Sequence, residues 1–240
     1  MNLSSTLREG ITLPLLAMLL STSLVATGTT VHAGEQSAID WSGVYVGAQI
    51  GYGWGDSKLS ASNPNDTWEI DPGGANAGIY AGYNHQMSSG LVVGVETEIN
   101  ANGVKGDGRY LYRDEPWGSA DNWPAEVDLK WSGSTRLRFG YAMDRWMPFV
   151  TGGVAYAGYD VKTYDFGSIW DEGDGMLVGW TIGAGAEYAV TDNIRIRGAY
   201  LFTDYGSDSF DSHRPSGDFY DTYEIDLKTH AASLGVSFNW

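Results

Sequence analysis

Cysteine is missing altogether from the 240 residues. An exported domain of this size then has no disulfide and no thiolate metal site, and must be held by packing or by backbone pairing. Basic residues are scarce. Against 30 Asp and Glu stand only 14 Lys and Arg, a net charge of −16, which excludes a surface built for nucleic-acid phosphates. A long hydrophobic run is missing as well: the apolar stretch 11–26 is broken by small or polar residues and by Pro14. It falls short of the ~20 apolar residues a spanning helix needs. Because it follows a single positive charge at Arg8 and precedes the small-residue site Val31-His32-Ala33, 1–33 is read as a cleavable secretory signal peptide, with 34–240 the mature domain.

What the chain has in quantity is glycine (33), tyrosine (15) and tryptophan (10), with only 18% charged residues, which describes many strands and turns with aromatics to spare for membrane interfaces. Eight runs alternate with period two: 41–54, 75–86, 91–101, 127–141, 148–159, 175–190, 194–204 and 223–240. In the last, Ala232, Leu234, Val236, Phe238 and Trp240 form an apolar face opposite Ser233, Gly235, Ser237 and Asn239. In 91–101, Val93, Val95, Thr97 and Ile99 oppose Gly94, Glu96, Glu98 and Asn100. In 127–141, Leu129, Trp131, Leu137, Phe139 and Tyr141 oppose Asp128, Lys130, Arg136 and Arg138. The run 148–159 is ambiguous, and the even set (Val150, Val154, Tyr156) is taken as its outward face.

Connections alternate in length, with 55–73, 102–126, 160–174 and 205–222 long and 87–90, 142–147 and 191–193 tight. The fold class expected is all-β: an eight-stranded antiparallel up-and-down transmembrane β-barrel, apolar side outward, both termini periplasmic and long loops extracellular. The outer rim is acidic, since 160–174 holds five acids against Lys162 and 204–226 seven against Arg214. A soluble lipocalin-like carrier also alternates, but needs a hydrophobic lumen where this chain puts its charges.

Four segments carry a resemblance: 41–47 (WSGVYVG), 189–193 (AVTDN), 200–206 (YLFTDYG) and the ending from Asp226-Leu227-Lys228-Thr229-His230 to Trp240. They resemble the small porin-family outer membrane proteins of alphaproteobacteria, a branch of the OmpA-type eight-stranded barrels, over essentially the whole mature chain. The resemblance implies an abundant, surface-exposed envelope protein of the Gram-negative cell outer membrane, in a family whose members are described as structural, weakly pore-forming, adhesive or haemin-binding. Two departures stand out: Trp240 closes the chain where Phe is commoner, and Ala199 and Leu201 occupy positions where inward polar residues are expected.

Glu96 and Arg136 lie at similar heights on neighbouring strands, as do Glu187 and Arg197, and inward pairs Glu96–Arg136 and Glu187–Arg197 are expected. Either they neutralise one another in a closed interior, or they gate a narrow polar path. No enzyme is expected: His230 and Ser233 face opposite ways, and His85 and His213 have no partner at a catalytic spacing. Gly51, Gly53 and Gly55 lack the dinucleotide-loop spacing, and 171–175 (DEGDG) misses the alternating ligands of a calcium loop. No metal or cofactor is assigned, with His213 the one candidate haem ligand. Trp68, Trp117, Trp123, Trp170, Phe210, Phe219 and Tyr220 belong to an interfacial belt or to a ligand-contacting surface.

The function read from the sequence is structural: envelope integrity and display of acidic loops as a surface antigen. The alternatives are a small-solute channel and a haem or host-ligand binder. Partners expected are outer membrane lipids and lipopolysaccharide, periplasmic chaperones, and the assembly machinery, which reads Leu234, Val236, Phe238 and Trp240 as the membrane-insertion signal. Nucleic acid is not among them.

Overall fold

The computed structural model describes residues 39–62, 66–112, 115–116, 125–165, 168–213, 216 and 218–240; the expected signal peptide, 1–33, lies outside them. Among the described residues are ten strands: β1 (Gly43–Ala61), β2 (Asp66–Ile70), β3 (Gly73–Gln86), β4 (Leu91–Tyr112), β5 (Glu115–Pro116), β6 (Ala125–Tyr141), β7 (Trp146–Asp165), β8 (Ser168–Ala189), β9 (Ile194–His213) and β10 (Phe219–Asn239). Eight are long, and each pairs antiparallel with its neighbour in the chain. The last returns to the first, from Tyr45↔Asn239 to Ala61↔Tyr223, so the eight-stranded barrel closes and neither terminal strand is left as a border. Short β2 extends the second barrel strand beyond a break at Asp71-Pro72, where proline supplies no N–H for a ladder. The Pro72 carbonyl still accepts from Gly55 N at 3.0 Å, and β2 fills the place between β1 and β4.

The barrel wall shows why the alternation exists. Ile50, Ile79 and Leu234 are 68%, 64% and 69% exposed on the outside, a continuous apolar waist that water would not tolerate and hydrocarbon requires. Aromatic residues bound it on both sides. Tyr83, Tyr141, Trp146 and Trp240 stand outward at the end that carries the tight turns; Tyr52, Trp54, Trp131, Trp180 and Tyr200 stand outward on the far side. The ambiguous strand β7 turns its even set out, with Val150 and Val154 exposed while Phe149, Thr151 and Ala155 are buried.

Two expectations fail beyond the far belt. The connections read as long loops are strand for most of their length, since β4 runs on to Tyr112, β7 to Asp165 and β9 to His213. The single phase assigned to 127–141 also breaks, because Leu129 pairs with Tyr159 and Trp131 with Gly158, leaving Lys130 without a cross-strand partner in β7. This bulge flips the strand. Below it Trp131, Leu137 and Phe139 face out; above it Leu129 and Val127 turn into the barrel and Lys130 points to solvent. Strand β9 does the same where Tyr205 and Gly206 together oppose Leu227 of β10.

Candidate functional site

The inward faces of the strands build three layers along the barrel axis. Next to the tight turns, Trp41 is fully buried with Ile39, Val92, Met147 and Ala189. Its backbone N donates to Gln86 Oε1 at 2.8 Å, and the Arg195 guanidinium lies 4.4 Å from its ring centre. Arg195 Nη2 donates to the Asp40 carbonyl at 2.9 Å. This cluster stops the barrel like a cork.

The middle layer is ionic. Glu96 is its centre: Oε1 takes Arg136 Nη2 at 2.7 Å, while Oε2 takes Arg197 Nη1 at 2.7 Å, the Tyr45 hydroxyl at 2.8 Å and Arg138 Nη1 at 3.2 Å. Arg138 reaches Glu187 through Nη2 at 2.8 Å, and Arg136 reaches Glu98 at 2.9 Å. Gln49 completes the lattice, accepting from Arg197 Nη2 at 2.6 Å and donating to Asn100 at 2.8 Å. Aromatic faces add cation–π contacts, with Arg197 3.6 Å over Tyr80 and Arg138 4.3 Å over Phe149. Every one of these charges is buried.

Glu96, Arg136, Glu187 and Arg197 therefore all project inward, but the pairing differs from the expected one. Glu96 and Arg136 meet. Glu187 and Arg197, although opposite each other in the ladder, bond elsewhere: Glu187 to Arg138 and Arg197 across the lumen to Glu96. Sequence spacing does not pick out Tyr45, Gln49, Glu98 and Arg138 from the inward sets, because height along a strand says nothing about what faces it across a narrow lumen. Leu201 points inward, an apolar group where a polar path would need a polar one, and the bare Gly183 beside it leaves the room its side chain takes.

Above the ionic layer lies a void of about 50 Å³ bordered by Asn76, Asn102, Ser132 and Tyr205, room for a few waters. Beyond it the lumen is filled by a hydrophobic core that includes Leu59, Ile70, Leu129, Tyr159, Leu177 and Leu227. Trp68 belongs to this core, its ring 5.9 Å from that of Tyr223, and so is neither belt nor ligand contact. Trp170 and Phe219 are exposed at the far end. Trp117 and Trp123, with the side chains of Phe210 and Tyr220, lie outside what the structure describes. His213 is exposed, edge-on to Phe219 at 6.3 Å and paired in the ladder with Glu172. His230 sits outside in the belt, stacked on Trp54 at 5.8 Å and joined to the Tyr200 hydroxyl at 2.6 Å.

Outside the apolar waist, β6 carries a charge network in which the exposed Lys105 and Lys130 cover the buried Asp128. Asp128 meets Lys130 at 2.7 Å and Lys105 at 3.2 Å. Partial burial pushes the Asp128 carboxyl up, but the hydrogen bonds from the two ammonium groups outweigh it and hold the group below the usual carboxylate range.

In the terminal strand, Leu234, Val236, Phe238 and Trp240 all face outward, and Trp240 N donates to the Val44 carbonyl at 3.1 Å. A wall of this kind, apolar outside and charged within, has a match in sequence: residues 22–239 fit the model of the outer membrane protein beta-barrel domain. The chain belongs to that family. Among its relatives is the 31 kDa outer-membrane immunogenic protein of Brucella melitensis biotype 1, 32% identical over 82% of this chain and 88% of the relative. A 22 kDa outer membrane protein of Rhizobium leguminosarum bv. viciae is 33% identical over 86% and 82%. The crystal structure of OprG from Pseudomonas aeruginosa aligns with 83% of this chain and 96% of its own at 10% identity and a TM-score of 0.49. Outer-membrane barrels of this family are the class to which the sequence resemblance pointed.

Proposed function

We propose that this protein is a closed, non-conducting barrel whose work is structural: it anchors in the outer membrane and holds an acidic, strand-built head outside the cell. Tight turns and both ends of the barrel then lie on the periplasmic side, and the far end with its acids on the extracellular side. The observation that carries this reading is the stacking of lumen contents, a Trp41 cork, a neutralised ionic lattice and a hydrophobic core in series. A solute that passed the lattice would still meet Leu129, Tyr159 and Leu227 packed across its way. That chemistry supports a scaffold and not a catalyst, since the lumen carboxylates Glu96, Glu98 and Glu187 are all spent on guanidinium groups.

Purified protein in planar bilayers tests it. The expected record shows no discrete steps above the bare bilayer, both for the wild type and for the double variant Glu96→Ala/Arg136→Ala, because the apolar layers on either side remain. Reproducible single-channel steps in the wild type that change amplitude in the double variant would establish the gate instead.

A further inference from the structure

The ladder between β8 and β9 is interrupted. Pairing runs upward from Ala189↔Arg195 as far as Trp180↔Asp204 and resumes only at Glu172↔His213. Between them, residues 173–179 and 205–212 remain in strand conformation; 173–179 pair on their other side with β7 and 207–212 with β10, but the register between β8 and β9 is broken. Two strand edges thus face one another across a seam in the barrel wall, beyond the aromatic belt where water reaches. Backbone N–H and C=O groups along such edges are a template for a further strand.

The seam is coloured for charge and opens away from its lower end. At that end Gly179 lies against the backbone of Asp204 and Tyr205, so the two strands touch there, and Gly175 lies against the Tyr159 ring; beyond it, on β9, Gly206 takes a positive φ of 65° with open space where a Cβ would be. Met176 and Val178 stand exposed on the outer face of the β8 edge. Glu172, Asp174, Asp204 and Asp211 flank it, and neither 168–180 nor 204–213 contains a single Lys or Arg.

We propose that this seam is a docking edge for an extended, basic polypeptide segment of another molecule, which adds a strand by backbone pairing with β8 or β9 while its cations meet the flanking carboxylates. Neither the closed lumen nor the structural role is needed for this inference, so it stands or falls separately.

Full-length barrel in zwitterionic micelles, titrated with an extended peptide alternating lysine and valine, tests it. Saturable binding is expected, with hydrogen-exchange protection appearing at 173–179 or 206–212. Affinity should fall about tenfold or more for Glu172→Lys/Asp174→Lys, both exposed positions, and also for an N-methylated peptide of the same charge, whereas Glu224→Lys, an acid off the seam, should leave it near the wild-type value. Equal binding of the N-methylated peptide would reduce the effect to bulk charge and overturn the proposal. So would seam amides already protected in the free protein, or protection that rises with barrel concentration alone, which would assign the edge to a second copy of this chain.

Discussion

Glu96 shows what a buried charge costs and does in a membrane barrel. One carboxylate receives three guanidinium groups and a phenol, from β1, β6 and β9, so it ties opposite walls together. Glu96→Gln keeps the shape but leaves Arg136, Arg138 and Arg197 with less counter-charge than they need in a dry interior. A loss of about 3–5 kcal/mol is expected, read from urea unfolding in micelles by the tyrosine and tryptophan signal. Glu187→Gln should cost less, because Glu187 holds Arg138 alone and that guanidinium keeps Tyr45 and Glu96. An equal loss for the two would show that the lattice has no centre. Glu96, Arg136, Glu187 and Arg197 are legible as inward from sequence because carboxylates and guanidiniums stay off the apolar face of their strands. Their partners are not legible: an arginine long enough to reach its ladder neighbour is also long enough to cross so narrow a lumen.

At the scale of the strand, period two carries almost everything up to the first bulge. The outward faces of β1, β3, β4, β8 and β10 follow the alternation read from sequence, and even β7 resolves once its neighbours fix which side is out. At Lys130 the alternation ends. One extra residue inverts the facing of the whole segment beyond it, and nothing in the composition of 125–131 separates a bulge from a continuing strand. The flip does have a consequence that titration reads. Asp128, turned outward with Lys105 and Lys130, is held below the ordinary carboxylate range, so its contribution is fully present above the unfolded value near 4 and is lost as pH falls through the lower folded value. Asp128→Asn should therefore be less stable than the wild type by about 0.5 kcal/mol at neutral pH, with the gap closing in acid. A gap that persists at low pH would mean the network contributes nothing through charge. The terminal strand makes a separate prediction. Deletion of Trp240 removes an outward aromatic in edge contact with Phe238 at 5.2 Å, and it should reduce insertion into the outer membrane while export to the periplasm continues. Unchanged insertion in a membrane fractionation would remove that residue from the assembly signal.

For the whole molecule, closure of β10 on β1 means that no strand can leave without breaking two ladders. Such a barrel should keep its folded mobility in unboiled detergent samples and shift on boiling. A single mobility under both conditions would be incompatible with a closed wall of this length. Fold class is legible at this scale because a barrel's two demands, apolar outside and polar inside, are written into every strand separately. The far end is not, since its polar, aromatic-rich segments fit loops and solvent-bathed strands equally well, and only the core of Leu59, Trp68 and Ile70 beneath them distinguishes the two.

The bulge at Lys130 also sets a ruler on the bilayer. Below it the cylinder is inside-out, greasy without and ionic within; above it the arrangement reverts to that of an ordinary water-soluble domain. The distance from Trp240 to Trp131 thus fixes a hydrocarbon thickness in the sequence itself, and a thicker membrane would have to drag the Lys105, Asp128 and Lys130 cluster into oil. Reconstitution across lipids of increasing chain length should reveal that mismatch as a sharp fall in stability on the thick side, and only a gentle one on the thin side.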